Sequence, residues 1–544
     1  MKFSRRRLAE TALLLTATLI GAGPVWGQAA QKPSPPAPPI TEKIARQTLQ
    51  SALPMPQEFK DYVKDGKLTL SLADAIRLAM ENNTDVQLDK SAIDTARNAI
   101  GFARGPFDPA LNSSFNAMRT TSPSSTQLAG APIAKSLTQF YQLGFSKTFE
   151  TGTNVQSSVS ASRLSTNSSF STINPSVAGN FSLSFSQPLL RGAWLTPNRG
   201  PIVIAQRNLR QSLDTFKQEV SGIVLNVVGQ YWNVVGARES LVVQKKSLDE
   251  AQQSYDHDKL MLEKGALPPL DIYRSESQVA TVKVAVIQAE YALKQAEDAF
   301  RRVIGADIDP NIRALDVNLT EPAEPAGELM TMDIATALQK ALADRPEIEA
   351  QRLQLANDDL SMKIAHNGLE PNLSLTGNYQ SNGLNTTTNG PFLEALNQTF
   401  GFGAPSYGAG LTLIFPIKNH AGEAALGTAE VAKRHDLYSQ RQVQQQITLE
   451  VSNSVHQLEQ SKLSMEAAKI ALDLAQKGLQ ADQRKYELGA ETIFFVLQSQ
   501  TALATAEENV LQAQVGYQLA VVSVDNATGG LLDHFGVQIA SLTK

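Results

Sequence analysis

The sequence predicts a mixed α and β membrane protein, a β-barrel joined to very long coiled-coil helices and built by internal duplication. Three observations carry this expectation. Two stretches almost free of charge alternate apolar and small polar residues. Very long proline-free stretches repeat apolar residues at a 3-4 spacing. The order of these two textures occurs twice along the 544 residues.

The N-terminus reads as a secretory signal peptide over residues 1–27. Arg5-Arg6-Arg7 precede an apolar run from Leu13 to Ile20, and Val25-Trp26-Gly27 offers small residues for cleavage. The run is shorter than the ~18 apolar residues that a spanning helix needs, and no second such run follows. An exported chain without spanning helices can cross a membrane only as a barrel. Residues 28–67 are a proline-rich linker and N-terminal segment, with QKPSPPAPPI extended by its prolines.

The sheet texture lies at 106–200, where only eight charges occur, and at 371–416, where Glu394 is the single charge. Val177, Phe181, Leu183 and Phe185 alternate with Asn180, Ser182, Ser184 and Ser186; Tyr141, Leu143 and Phe145 alternate with Gln142 and Ser146; Tyr407, Ala409, Leu411 and Leu413 do likewise. Strands are expected near 110–119, 139–149, 153–163 and 177–187, with two more in the second block. Alternation alone suits a soluble sheet with one wet face equally well. The connections favour a barrel: long Ser/Thr/Asn/Gly segments at 120–138, 164–176 and 381–405, against a tight turn at Glu150-Thr151-Gly152.

The helical texture is equally plain. Val279, Val282, Val286, Ala289, Leu293, Ala296 and Phe300 follow a coiled-coil seam, as do Val220, Val224, Val227, Tyr231 and Val234, and Val510, Ala513, Tyr517, Ala520 and Val524. Residues 202–262 and 417–527 contain no proline, and Pro201 is expected in the first helical turn. At 1.5 Å per residue the first stretch alone reaches about 92 Å.

LADAIRLAMENNTDV at 72–86 aligns with IATALQKALADRPEI at 334–348, and the same offset carries Asp108-Pro109 onto Glu370-Pro371. The expected organisation is a first repeat at 68–320, a second at 321–533 and a tail at 534–544. Pro188 and Pro416 mark where strand gives way to helix, because proline neither donates to a ladder nor sits well inside a helix. Gly265 and Gly489 mark the hairpin turns.

These residues resemble the TolC family of outer-membrane efflux proteins. The carriers are LTLSLADAIRLAMENN at 68–83 with its weaker copy at 330–345, SFSQPLLRG at 184–192, and YELGAETIFFVLQSQTAL at 486–503. The resemblance implies a homotrimer in outer-membrane lipid, one shared barrel, and one periplasmic helical tunnel that opens when an adaptor protein and an inner-membrane transporter dock. It assigns adaptor contact to the tips at Lys264, Gly265, Ala266, Leu267, Leu488, Gly489 and Ala490. It places a gate at Asp271, Glu491, Phe495 and Gln498, where Phe495 closes either by dewetting or, as the alternative, packs between helices. Family members give two strands per repeat, so the two extra strands here either join the barrel or form an extracellular excursion.

Other functions are disfavoured. A net charge of −5 argues against a nucleic-acid binder, and the absence of cysteine excludes disulfides, thiol chemistry and a lipid-bearing Cys. No catalytic or cofactor motif appears, so no enzyme is expected; a coiled-coil surface protein or adhesin is the alternative. Asp256-His257-Asp258, Asp358-Asp359 and Glu507-Glu508 read as solvated helix faces. Trp194 suits either an interfacial aromatic belt or junction packing.

Overall fold

The structure is a computed structural model that describes residues 59–123, 132–265, 270–325, 327–385 and 392–539. All of them belong to one compact unit, Pro56–Lys544. The expected signal peptide, the linker up to residue 58, Ala266, Leu267 and the last five residues of the tail lie outside the described residues.

The chain enters through β1 (Val63–Lys64) and β2 (Lys67–Leu70), and β2 pairs in parallel with β7 (Asp316–Leu319). Ser71 then caps α1 (Leu72–Asn82) by accepting from Asp74 N, and a single extended residue, Asn83, separates it from α2 (Thr84–Arg104). The second block follows the same local plan. Asp333 caps α5 (Ile334–Asp344), and extended Arg345 separates it from α6 (Pro346–Asn367).

The alternating stretches form β3 (Ala110–Pro123), β4 (Ile133–Thr148), β5 (Asn154–Thr166), β6 (Ser176–Pro188), β8 (Asn372–Leu384) and β9 (Pro405–Ile414). They make one antiparallel sheet in the order β3-β4-β5-β6-β8-β9. Its register keeps odd-numbered residues opposite odd-numbered ones: Ser113 faces Leu143, Leu143 faces Val159, Val159 faces Phe181, and Leu375 faces Leu411. Directly paired residues share a face. One face therefore carries Leu111, Phe115, Tyr141, Leu143, Phe145, Phe181, Leu183, Phe185, Tyr407 and Leu411. The other carries Asn112, Ser114, Gln142, Ser158, Asn180, Ser182 and Asn382, with Ser158 bonded to Ser182 at 2.7 Å and Asn180 to Asn382 at 2.8 Å.

The strands run further than the apolar pattern. β3 and β4 occupy both ends of the expected loop at 120–138, because Thr120 to Pro123 stay in register with Ile133 to Ser136 once the ladder is set. The extra hairpin belongs to the same sheet. β4 and β5 lie inside the sheet, laddered to β3 on one side and β6 on the other. Its turn is also tied down where β6 ends: Trp194 N donates to Thr151 O at 3.1 Å, and Arg199 lies 3.7 Å from Glu150.

From the sheet, α3 (Leu195–Glu263) and α8 (His420–Glu487) run 69 and 68 residues, and return as α4 (Ile272–Val303) and α9 (Ile493–Ala527). Each of the two longest helices spans about 100 Å. α3 starts earlier than expected, so Pro201 sits inside the helix and not in its first turn. Asn198 Nδ2 donates to Gly192 O and Trp194 O at 2.7 Å each, which braces the start upstream of the proline. The predicted seams are the core: Val220, Val224, Val227, Tyr231 and Val234 are buried with Phe300 of α4 and with Leu511 and Val522 of α9. Each such side chain is worth roughly 1.5–3 kcal/mol.

A further helix, α7 (Phe392–Phe400), lies on the apolar face of the sheet over β6 and β8. Ser381 Oγ donates to Thr399 O at 2.6 Å, and Phe392 meets Tyr141 edge-on at 5.8 Å. Only glycine allows this approach, because a Cβ on Gly383 would stand 2.2 Å from Ala395 O. Gly383→Ala is expected to lift α7 and cost about 1–3 kcal/mol, seen as a lower melting temperature and faster proteolysis within 385–404. Gly403→Ala, with open space around it, is expected to be neutral.

Candidate functional site: the helical tips

Both hairpins end in the same way. Lys264 and Leu488 are the last near-helical residues, and Gly265 and Gly489 follow with φ +72° each. Gly489 N donates to Tyr486 O at 2.9 Å and Ala490 N to Lys485 O at 2.8 Å, the paired bonds of a left-handed helix stop. Gly265 N donates to Leu262 O at 2.9 Å. Leu488 is 78% exposed.

Just above the turns, the two hairpins are joined through one carboxylate. Asp258 of α3 is fully buried; it accepts from Tyr486 OH of α8 at 2.7 Å and from Ser275 Oγ of α4. Burial, and next the Asp258 charge with Asp271 behind it, push the Tyr486 phenol well above its ordinary pKa, so it stays a donor at every physiological pH. The sequence reading had placed Asp256-His257-Asp258 on a solvated face. Successive helical residues turn by about 100°, so only one of three neighbours faces inward, and which one depends on where α4 and α8 lie.

Glu507 and Glu508 are corrected in the same way. Glu507 meets Lys246 at 2.5 Å and Glu508 accepts from Ser240 at 2.9 Å, both across from α9 to α3. Gln500 Nε2 donates to Ser254 Oγ at 2.9 Å. From residue 240 downward the contacts between hairpins are thus largely polar, whereas above it they are the apolar seam of Val220 to Val235.

The expected gate residues divide. Asp271 stands at the start of α4, 3.8 Å from Arg274. Glu491 is held at 2.8 Å by Lys485, which it shares with Asp482 at 3.3 Å. Phe495 and Gln498 point away from the hairpin core of Leu479, Ile493, Val496, Leu497 and Leu503, and Phe495 is 45% exposed. Within this chain Phe495 touches Phe494, at 5.5 Å between rings. The junction prolines fall where strands stop: Pro188 ends β6, and Pro416 follows β9 before Asn419 caps α8. Trp194 is 65% exposed with φ 65° immediately before α3.

Of the pair Asp358-Asp359 on α6, expected on a solvated face, only Asp359 is exposed; Asp358 is not. It is buried beside Asp436 of α8, and Gln354 Nε2 bonds Asp436 at 2.9 Å. Burial first, then the Asp436 charge, raise its pKa to about 6, while His435 at 2.7 Å helps hold Asp436 below its usual value. Among the described residues no group of three or more His, Cys, Asp or Glu is placed to hold a metal, and no helix is long and apolar enough to cross a membrane.

This arrangement can be compared with known proteins. The outer membrane efflux protein family model matches residues 75–306 and 337–530, well over half of the chain. The chain belongs to the outer membrane efflux protein family. Among relatives, the probable outer membrane lipoprotein SilC of Salmonella typhimurium is 23% identical over 310 residues, covering 57% of this chain and 63% of SilC. The alignment thus spans under two thirds of SilC's length. The outer membrane protein TolC of Vibrio cholerae is 23% identical over 356 residues, covering 64% of this chain and 76% of TolC. The fold is that of a crystallised membrane protein from Pseudomonas aeruginosa, with TM-score 0.63 and 17% identity over 93% of this chain and 97% of that one. The resemblance in the 68–83, 184–192 and 486–503 motifs is therefore a family relationship.

Two outcomes follow for these groups. Tyr486→Phe removes one donor from a buried carboxylate, a loss of about 1–3 kcal/mol; tip amides of α3 and α8 are expected to exchange hydrogen roughly 5- to 150-fold faster, with those near Val224 unchanged. Asp358 titrates higher in the folded chain than its ordinary 3.8. Its stabilising contribution is complete below that lower value and is lost as pH rises through about 6. Asp358→Asn is accordingly expected to raise the melting temperature at pH 7.5, with the gain shrinking toward pH 4.

Proposed function

We propose that this chain is the outer-membrane duct of a tripartite export system, a passive gated channel for small molecules or proteins. The observation that carries the reading is the two-faced sheet, apolar on one side and polar on the other, which passes at Pro188 and Pro416 into helices of about 100 Å. The apolar face would meet outer-membrane lipid and the polar face a wet lumen. Three copies would close one barrel and one periplasmic helical tube, each copy built from tandem repeats at 68–320 and 321–533. A cleaved signal at 1–27 would direct export, with the linker following it. A chain without cysteine offers no thiol for a lipid anchor.

Exposed stripes support assembly between copies. On α8, Leu449, Leu463, Ile470 and Leu474 are all more than half exposed at heptad-like spacing, an unfilled coiled-coil seam. The tips at Lys264, Gly265, Ala266, Leu267, Leu488, Gly489 and Ala490 would receive the adaptor, and the inner-membrane transporter would supply the energy. Gating would separate the two hairpins through the Asp258–Tyr486 contact. Phe495 and Gln498, exposed in the single chain, would line the constriction, with Asp271 and Lys485-bound Glu491 beside it. Closure there would act by size and dewetting and not by a ring of free carboxylates. No cofactor or nucleic acid takes part, and the duct itself catalyses nothing.

Purified protein in a planar bilayer tests this reading. Phe495→Ala and Gln498→Ala are expected to raise single-channel conductance while the mass in detergent stays that of three copies. Unchanged conductance in a normal assembly would place these side chains between helices; a monomer without conductance would overturn the duct.

A further inference from the structure

We infer that β4 and β5 are full wall staves, so that three chains close a ring of eighteen strands through a β3-to-β9 joint in which Ala110 lies opposite Ile414 of the next copy. This rests on the trimeric reading above and goes beyond it in the number of strands, the joint and its register.

The hairpin shows every property of the wall. It is laddered on both sides over most of its length, alternates faces in phase with its neighbours, and presents Tyr141, Leu143 and Phe145 on the apolar face and Gln142, Ser146 and Ser158 on the polar one. Its turn is fixed to the start of α3 by Trp194 and Arg199, at the level where the other strands meet their helices. Removing it from the wall would break two ladders and expose Leu143 and Phe145 on the apolar face.

The open edges identify the occupant. Along β3 and β9 every residue is exposed, and neither outer edge has a strand partner among the described residues. In hydrocarbon a bare edge leaves its outward backbone N–H and C=O groups without any hydrogen-bond partner, which membrane-spanning structures do not tolerate. With six alternating strands, β3 and β9 run in opposite senses, so the β9 edge of one copy can take the β3 edge of the next as an ordinary antiparallel pair. A second copy is therefore the occupant that the edges fit.

Register follows from two constraints. The faces must match, since a slip by one residue would turn apolar side chains into the lumen. The helix-side ends must also meet: Ala110 starts β3 two residues after the turn at Gly105–Phe107, and Ile414 ends β9 shortly before α8. Pairing Ala110 with Ile414 satisfies both. It uses all ten residues of β9, sets Leu111 beside Leu413 and places Asn112 beside Thr412 on the polar face. At ~4.8 Å between strands and a tilt near 40°, eighteen strands enclose a ring about 36 Å across, against about 24 Å for twelve. The outlet is then half as wide again as a ring of four strands per chain allows, so selection falls to the tips alone.

The absence of native cysteine makes the test clean. Asn112→Cys and Thr412→Cys together are expected to give covalent dimers and trimers on a non-reducing gel, while each single variant gives neither. A disulfide confined within the monomer, or none in a particle of three-copy mass, would overturn the joint. Electron cryomicroscopy of the wild-type particle is expected to count eighteen strands. Twelve, with β4 and β5 outside, would overturn the wider ring and leave the trimer standing. A particle of other than three copies would show instead that the trimeric reading had failed, and the joint with it.

Discussion

Backbone hydrogen bonding at the two edges of one sheet is the constraint on which the rest of the molecule depends. Inside a membrane, water cannot satisfy the outward N–H and C=O groups of β3 and β9, and no other segment of the described chain covers them. In the proposed duct that satisfaction would come from further copies, and closing the sheet would also gather the helices beneath it. The continuity from β6 into α3 and from β9 into α8 transmits that geometry without a flexible linker. Exposed Leu463, Ile470 and Leu474 would then face a neighbour instead of water.

The helices hold together unequally along their length. Near the middle, Val220, Val224, Val227 and Tyr231 share one apolar core with α4 and α9. Nearer the turns, the two hairpins touch through Lys246–Glu507, Gln500–Ser254 and Tyr486–Asp258. Net contributions of such hydrogen bonds are about 1 kcal/mol, more where a charge is buried, against roughly 1.5–3 for each apolar side chain in the seam. Water can also replace polar contacts as they part. In the proposed gating, separation would therefore start at the tips and stop at the seam.

Much of this was legible in the sequence, and the exceptions have a common cause. Alternation located all six strands of the large sheet, and the 3-4 spacing picked out Val220 to Val234 as core, because both signals come from burying one face of one element. The duplicated motifs at 72–86 and 334–348 pointed to helices that the structure shows with matching caps. What the pattern hid was set by contacts between distant elements. Asp258 looks like His257 or Asp256 until α4 and α8 are in place; Asp358 looks solvated until α8 brings Asp436 against it. The docking of α7 depends on Gly383 and Gly179 lying side by side across two strands. Pro201 misled because its ordinary role at a first turn gave no sign of the braced turn upstream.

Single-channel conductance of the Asp258→Asn, Tyr486→Phe double variant, set against wild type in the same bilayer, tests the central claim most directly. The account predicts a small, steady wild-type conductance and a several-fold larger one for the variant, with particle mass unchanged. Equal conductance in both, with both assembled, would contradict a gate at the tips held by this carboxylate. Silence from both would contradict the duct itself.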